Sequence, residues 1–328
     1  MYKILLFMMM MLGSIVSITS NNWLSMWVGL EMNMLSFIPL MYKSKNFNST
    51  ESSMMYFLIQ SMGSIIMFMS IIINMMIMVN INYINNTLML LLIVSLMIKL
   101  GIPPFHMWFV EISIKMNWPL LTILMTWQKI APLWILSNLM LNNMFLQYIV
   151  LMSATIGALG GLNQTSVKKL MSFSSINHMA WMIACMKFNN MMWMMYLLMY
   201  TLLMLMIVYT FIKENTNYIN QLYNSNKSFM KSIYITTTML SLGGMPPLMG
   251  FIPKWMIIKQ LMFNNSYFML FILIMSSLIT LFYYMRMISS ILLISSNLNK
   301  WTEMNKENEL MLMTIILINV VLPLMLNL

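Results

Sequence analysis

The chain has 328 residues, 61% of them hydrophobic and 7% charged, whereas soluble domains carry about 25% charge, so water is not its main solvent. Its net charge of +10 is spread singly between apolar runs, which excludes a nucleic-acid surface. The single Cys185 can form neither an internal disulfide nor the four-thiolate set that an iron–sulfur cluster normally needs.

Hydropathy and polar turns predict about eleven helices, near 3–19, 23–42, 53–79, 86–115, 118–138, 144–163, 169–186, 191–212, 232–263, 266–294 and 309–327. The fold class is therefore all-α, a polytopic membrane protein. The first helix follows Lys3 like a signal peptide, but no Ala-x-Ala-type cleavage site follows, so it is read as retained. Residues 52–98 carry no charge and hold two spans of about 20 residues, separated by a polar turn at Asn80–Asn86. With Lys3 on side A, that side also holds Lys43, Lys45, Lys115, Lys168, Lys169, Lys213, Lys227, Lys231, Lys300 and Lys306, against Lys187 and Lys259 on side B. The positive-inside rule makes side A the matrix or cytoplasm.

Two double-proline breaks, LGIPPF at 100–105 and GGMPPL at 243–248, lie 143 residues apart in long apolar segments. Five helices separate them, so the second crosses in the opposite direction, and matched broken spans in inverted halves mark a transport site in many carriers. The organisation expected is a first repeat at 1–138, an inverted second repeat at 139–296, and a linker with terminal helix at 297–328.

Placing a lysine at bilayer depth costs about 2.5 kcal/mol or more, so such a residue faces a polar cavity, a counter-ion or a proton path. Lys99, Lys129 and Lys254 lie in apolar segments beside prolines, and Glu31 sits mid-span in WVGLEMNML. A Glu31 and Lys99 pair forms a charge switch, against the plainer reading of a static ion pair that fixes packing. Lys99 precedes the break at Pro103 and Pro104, at the C-terminal end of a half-helix whose dipole favours a cation; Lys254 follows Pro246 and Pro247 at the start of one, where the dipole opposes it. Lys129 lies three residues before Pro132, whose missing N–H frees the Gln128 carbonyl for water. His178, in MSFSSINHMAW, can accept at one ring nitrogen and donate at the other, linking the halves; a packing role is the alternative. His106, Glu111 and Arg286 are weaker candidates.

Fifty methionines, no aspartate and one arginine match AT-rich coding with an extra methionine codon, as in animal mitochondria. A Cu(I) relay through Met8–Met11 and the MMWMM at 191–195 is a rival use of thioethers, although methionine also packs as an ordinary core residue.

The stretches WVGLEMNML, IKLGIPPFHMWFVE, TWQKIAPL, LMSFSSINHM and LSLGGMPPLMGFIPKWMI, spread over residues 27–257, resemble the chain-2 family of mitochondrial NADH:ubiquinone oxidoreductase, antiporter-like membrane subunits of respiratory complex I, of insect or other arthropod type. The resemblance implies two inverted five-helix repeats plus a last helix, with Glu31 paired to Lys99, Lys129 as linking lysine and Lys254 as distal lysine. It implies a proton-translocating subunit of the mitochondrial inner membrane, N-terminus on the matrix side, among neighbouring membrane subunits and lipid. On that likeness the chain binds no cofactor or metal itself, NADH, FMN, iron–sulfur clusters and ubiquinone being used by other subunits. GIPPF carries Ile and Pro where relatives often have Leu and Ala. A stand-alone cation/proton antiporter and a purely architectural subunit are the alternative functions.

Overall fold

The computed structural model describes residues 2–43, 46–76, 81–139, 144–187, 192–224, 229–295, 316, 317 and 319. Lys45, Lys227, Lys300, Lys306 and most of the terminal segment 297–328 fall outside them. The described residues form α-helices joined by turns, and six segments are long and apolar enough to cross a bilayer: Tyr2–Thr19, Trp23–Met41, Phe47–Asn74, Trp118–Leu139, Met192–Lys213 and Tyr267–Ser289. The chain divides into two compact units, Met1–Asn143 and Met144–Leu328.

In the first unit, α1 (Tyr2–Thr19) and α2 (Trp23–Met41) form a hairpin. They cross where side chains vanish: a Cβ on Gly13 would lie 2.8 Å from the Asn33 nitrogen, and one on Gly29 2.7 Å from that of Ser17. Lipid tails give helices no hydrophobic reason to associate, so small residues that let backbones meet supply the contact. The run Met8–Met11 lies on four successive helical positions, with Met10 buried and Met8 and Met9 exposed. Four consecutive residues point all round a helix, so these thioethers do not converge on one ion.

The pair α3 (Phe47–Met76) and α4 (Ile81–Leu100) corrects the predicted turn: Ile81 to Asn86 are already helical. Asparagine favours turns only mildly over a helix whose backbone must close its own hydrogen bonds in lipid. After a break come α5 (Met107–Lys115), α6 (Trp118–Met125) and α7 (Trp127–Leu139). Pro132 does not itself end a helix; α7 runs through it, and the interruption sits upstream at Thr126, with ψ −72° and its hydroxyl donating to the Thr122 carbonyl at 2.6 Å. Lys115, in the last turn of α5, is ion-paired to Glu51 near the start of α3, and a cavity of about 380 Å³ is lined by Lys43, Asn46, Lys115 and Asn117. The loops after α2 and α5 therefore lie at one end of this unit, together with Lys3 through the α1–α2 hairpin.

The second unit holds α8 (Met144–Gly161), α9 (Val167–Met186), α10 (Met192–Lys213), the short α11 (Gln221–Asn224), α12 (Phe229–Gly243), α13 (Phe251–Phe263) and α14 (Tyr267–Ser295). α11, four residues long, was not foreseen from hydropathy. Gly157 meets the Asn177 backbone nitrogen as Gly13 meets Asn33, a Cβ there lying 2.7 Å away. One end of the unit is knitted by backbone bonds from Val167 to Asn217 and from Ile219 to Thr165. Arg286 fastens the same end: its guanidinium donates to the carbonyls of Leu162 at 2.5 Å and Gln164 at 2.9 Å, just past the C-terminus of α8. Carbonyls there have no helical partner and attract a cation. Arg286→Gln is expected to cost about 1 kcal/mol, because the contact is exposed, read as a fall of a few degrees in the melting temperature of the assembled protein.

Candidate functional site

Each unit is organised around one double-proline break, and the two breaks share their hydrogen bonds. In the first, Gly101 adopts φ +66°, the Gly101 nitrogen bonds the Ile98 carbonyl, and the Ile102 nitrogen bonds the Met97 carbonyl; in the second, Gly244 adopts φ +79°, with Gly244 bonded to Ser241 and Met245 to Leu240. This is the glycine-terminated helix end in which two backbone N–H groups turn back to close the last carbonyls. Pro103 and Pro104, like Pro246 and Pro247, occupy the turn that follows. Glycine, having no Cβ, adopts the left-handed conformation at such a cap more readily than other residues.

Each break leaves one more carbonyl for a side chain to satisfy. At the first, Gln60 of α3 donates to the Lys99 carbonyl at 3.0 Å. At the second, the Lys254 amine donates to the Gly243 carbonyl at 2.8 Å. The latter revises the dipole argument: Lys254 begins α13, yet its ammonium reaches the C-terminal carbonyl end of α12, the electronegative end that favours a cation. The backbone reversal between 244 and 250 brings the two half-helix ends together, which local sequence cannot reveal.

Around the first break, Lys99 and Lys129 are 8% and 3% exposed and line one cavity of about 20 Å³, room for about one water molecule. Asn33, Tyr56, Gln60, Gln128 and Pro132 share its walls. The Gln128 amide donates to Asn33 Oδ1 at 3.0 Å and accepts from the Tyr56 hydroxyl at 3.4 Å, and Lys129 Nζ stands 5.1 Å from the centre of the Phe109 ring. Glu31 lies within electrostatic reach of Lys99 but does not touch it, whereas Lys115 and Glu51 form an ion pair in contact. Glu31 Oε1 is buried and accepts no hydrogen bond among the described residues. Gly63 packs on the Lys99 stem, where a Cβ would lie 3.1 Å from Cγ.

Around the second break, Lys254 is 4% exposed and its Nζ lies 6.0 Å from the centre of the Trp181 ring. One turn earlier on α9, His178 Nδ1 is 2.8 Å from the Tyr196 hydroxyl. Its ring centre is 5.0 Å from that of Tyr200. Ser276 of α14 donates to Asn177 Oδ1 at 3.1 Å. Thus Lys99 and Lys129 line one cavity in the first unit, and in the second Lys254 lies against Trp181, one turn along α9 from His178.

The amides and phenols of these sites were not singled out from sequence. A sliding self-comparison finds some of them: Gly13 and Gly157, Asn33 and Asn177, and Tyr56 and Tyr200 are each 144 residues apart. Gln60→Leu is expected to orphan the Lys99 carbonyl at a cost of about 1–3 kcal/mol, measured as reduced thermal stability of the assembled protein, without removing any charge.

Comparisons with known proteins agree over most of the chain. The transmembrane family model described as NADH:quinone oxidoreductase/Mrp antiporter matches residues 20–280. The chain is 44% identical to NADH-ubiquinone oxidoreductase chain 2 of Anopheles gambiae over 306 residues, 92% of this chain and 89% of that one. It is 38% identical to the protein of the same name from Ovis aries over 291 residues, 87% of this chain and 84% of that one. Among solved structures, a chain of respiratory complex I from Thermus thermophilus superposes with a TM-score of 0.84 at 20% identity, covering 99% of this chain and 78% of its own length. A chain of the Mrp complex from a Dietzia species gives 0.78 at 15% identity, covering 87% and 60%.

Proposed function

From a chain that belongs to the NADH:quinone oxidoreductase/Mrp antiporter transmembrane family, we propose a proton-translocating subunit of the membrane arm of respiratory complex I, in the mitochondrial inner membrane. The observation that carries this reading is the placing of two buried lysines, Lys99 and Lys129, on the walls of one cavity, with the buried carboxylate of Glu31 within electrostatic reach of Lys99.

A buried ammonium is costly unless paired, and a nearby carboxylate stabilises it. When a charge change in a neighbouring subunit draws Glu31 away from Lys99, the proton held on Lys99 loses its support, and the Lys129 amine is the other amine on the shared cavity. From Lys129 the proton passes towards His178 and Lys254. The chain moves protons only; electrons pass from NADH to ubiquinone in other subunits. In this reading the redox groups are held by those other subunits; one cysteine in 328 residues is too few for the four thiolates that an iron–sulfur cluster normally needs.

The finer architecture is eleven spans, arranged as two inverted five-helix repeats, 1–138 and 139–296, with a terminal helix in 297–328. Support comes from the paired glycine-capped breaks and the 144-residue correspondences. The N-terminus lies on the matrix side, in keeping with Lys3, Lys43 and Lys115 gathered at one end of the first unit and Lys168, Lys169 and Lys213 near one end of the second.

Substituting Lys99, Lys129 and Lys254 one at a time, with assembly scored separately from NADH-driven proton uptake in proteoliposomes, tests the function. Assembled complexes that translocate protons normally in all three cases would make the subunit architectural. Proton exchange by the isolated chain in vesicles under an imposed sodium gradient would favour an antiporter.

A further inference from the structure

The second unit lacks a lysine where the first has Lys129: in the 144-residue register that position is the fully buried Leu273. A titratable pair stands elsewhere in this unit. His178 on α9 and Tyr196 on α10 are both buried and joined at 2.8 Å between Nδ1 and the phenol oxygen. We propose that Tyr196 is the second member of the histidine relay, its hydroxyl being the port through which His178 gains and returns a proton. This rests on the proton-translocating reading above.

The bond restricts the imidazole. While the phenol donates to Nδ1, a neutral ring carries its own proton on Nε2. Nδ1 is then blocked to any donor except the phenol. Loading occurs as an incoming proton bonds the phenol oxygen, the existing O–H bond breaks, and an Nδ1–H bond forms. The ring becomes imidazolium, the phenol stays neutral, and no electrons change hands. Unloading runs the same bonds in reverse, or releases the proton from Nε2. The ring is steadied by Tyr200, 5.0 Å away centre to centre. Further titratable groups on surrounding elements are Tyr283 and Tyr284 of α14, Cys185 of α9 and Lys254 of α13. Lys254 sits against Trp181, one turn from His178. A charge on Lys254 opposes one on His178, so the occupancy of one site governs the other.

The test compares assembled complex carrying Y196F, Y196Q, H178Q, the double Y196F/H178Q and Y234F, with proton uptake per NADH oxidised and its pH profile as readouts. Y196F removes one oxygen, whereas Y196Q keeps a donor. Y234F is the control, since Tyr234 is equally buried and donates to the Met206 carbonyl at 2.8 Å. Y196F is expected to lower proton uptake about tenfold or more, as H178Q does, and to move the pH profile. Y196Q should recover part of it, the double variant should be no worse than either single, and Y234F should pump normally. Normal pumping by Y196F, equal losses in Y196F and Y196Q, or failure of Y196F to assemble while Y234F assembles would each overturn the inference. If H178Q and Lys129→Met also pump normally, the relay reading itself falls; if they fail while Y196F pumps, only the role of Tyr196 falls.

Discussion

Replacing Lys129 with methionine is expected to leave the complex assembled and to reduce its coupled turnover at least about a hundredfold, the lower end of what a positioned proton-transfer group contributes. Methionine is close to lysine in length and unbranched, so it fills the space between Phe109 and the cavity without introducing strain. What it removes is the amine that shares a cavity with Lys99. Burying an apolar thioether costs nothing there, so stability should hold or rise. Proton uptake per NADH in reconstituted vesicles, set against the amount of assembled complex, measures the effect. A large loss of assembly with normal pumping in the remainder would assign Lys129 to packing.

The largest structural effect is expected at Gly250. A Cβ there would lie 1.7 Å from the Ser241 carbonyl oxygen, a backbone atom that cannot yield as a flexible side chain does. Ser241 is also the residue whose carbonyl accepts from Gly244 at the second break, so any shift pulls apart the cap that Lys254 completes. Gly250→Ala should therefore prevent assembly, by a mechanism beyond the usual overpacking cost of about 1–3 kcal/mol. The informative partner is Gly243→Ala: its nearest neighbour would be Tyr284 at 3.6 Å, ordinary contact, so that variant should assemble normally. Native electrophoresis of membranes distinguishes them.

These two positions show what a membrane sequence discloses. The spans are legible because hydrocarbon demands about 20 apolar residues per crossing, and the breaks because a glycine followed closely by two prolines cannot continue a helix. Faces are not legible. A helix such as α9 has every residue from Val167 to Met186 buried except Lys169, and where lipid or protein covers a helix on every side no water-facing polar stripe reveals its orientation. That is why Gln60, Tyr56 and Tyr196 pass unnoticed as single polar residues, although a polar group at bilayer depth is a functional signal in itself. The interruption at Thr126 rather than Pro132 has the same origin. Proline disturbs the turn before it, and where the strain is released depends on neighbours that local sequence does not name. Lys254 is the sharpest case: its place in the chain puts it at a helix start, whereas its amine closes the end of another helix.

Ordered solvent tests the central claim most directly. A high-resolution map of the intact complex should show water in the cavity between Lys99 and Lys129, within hydrogen-bond reach of both amines, and further water linking Lys254 with His178. Dry, closed surroundings at all four side chains would mean that these residues cannot exchange protons, and would contradict the account.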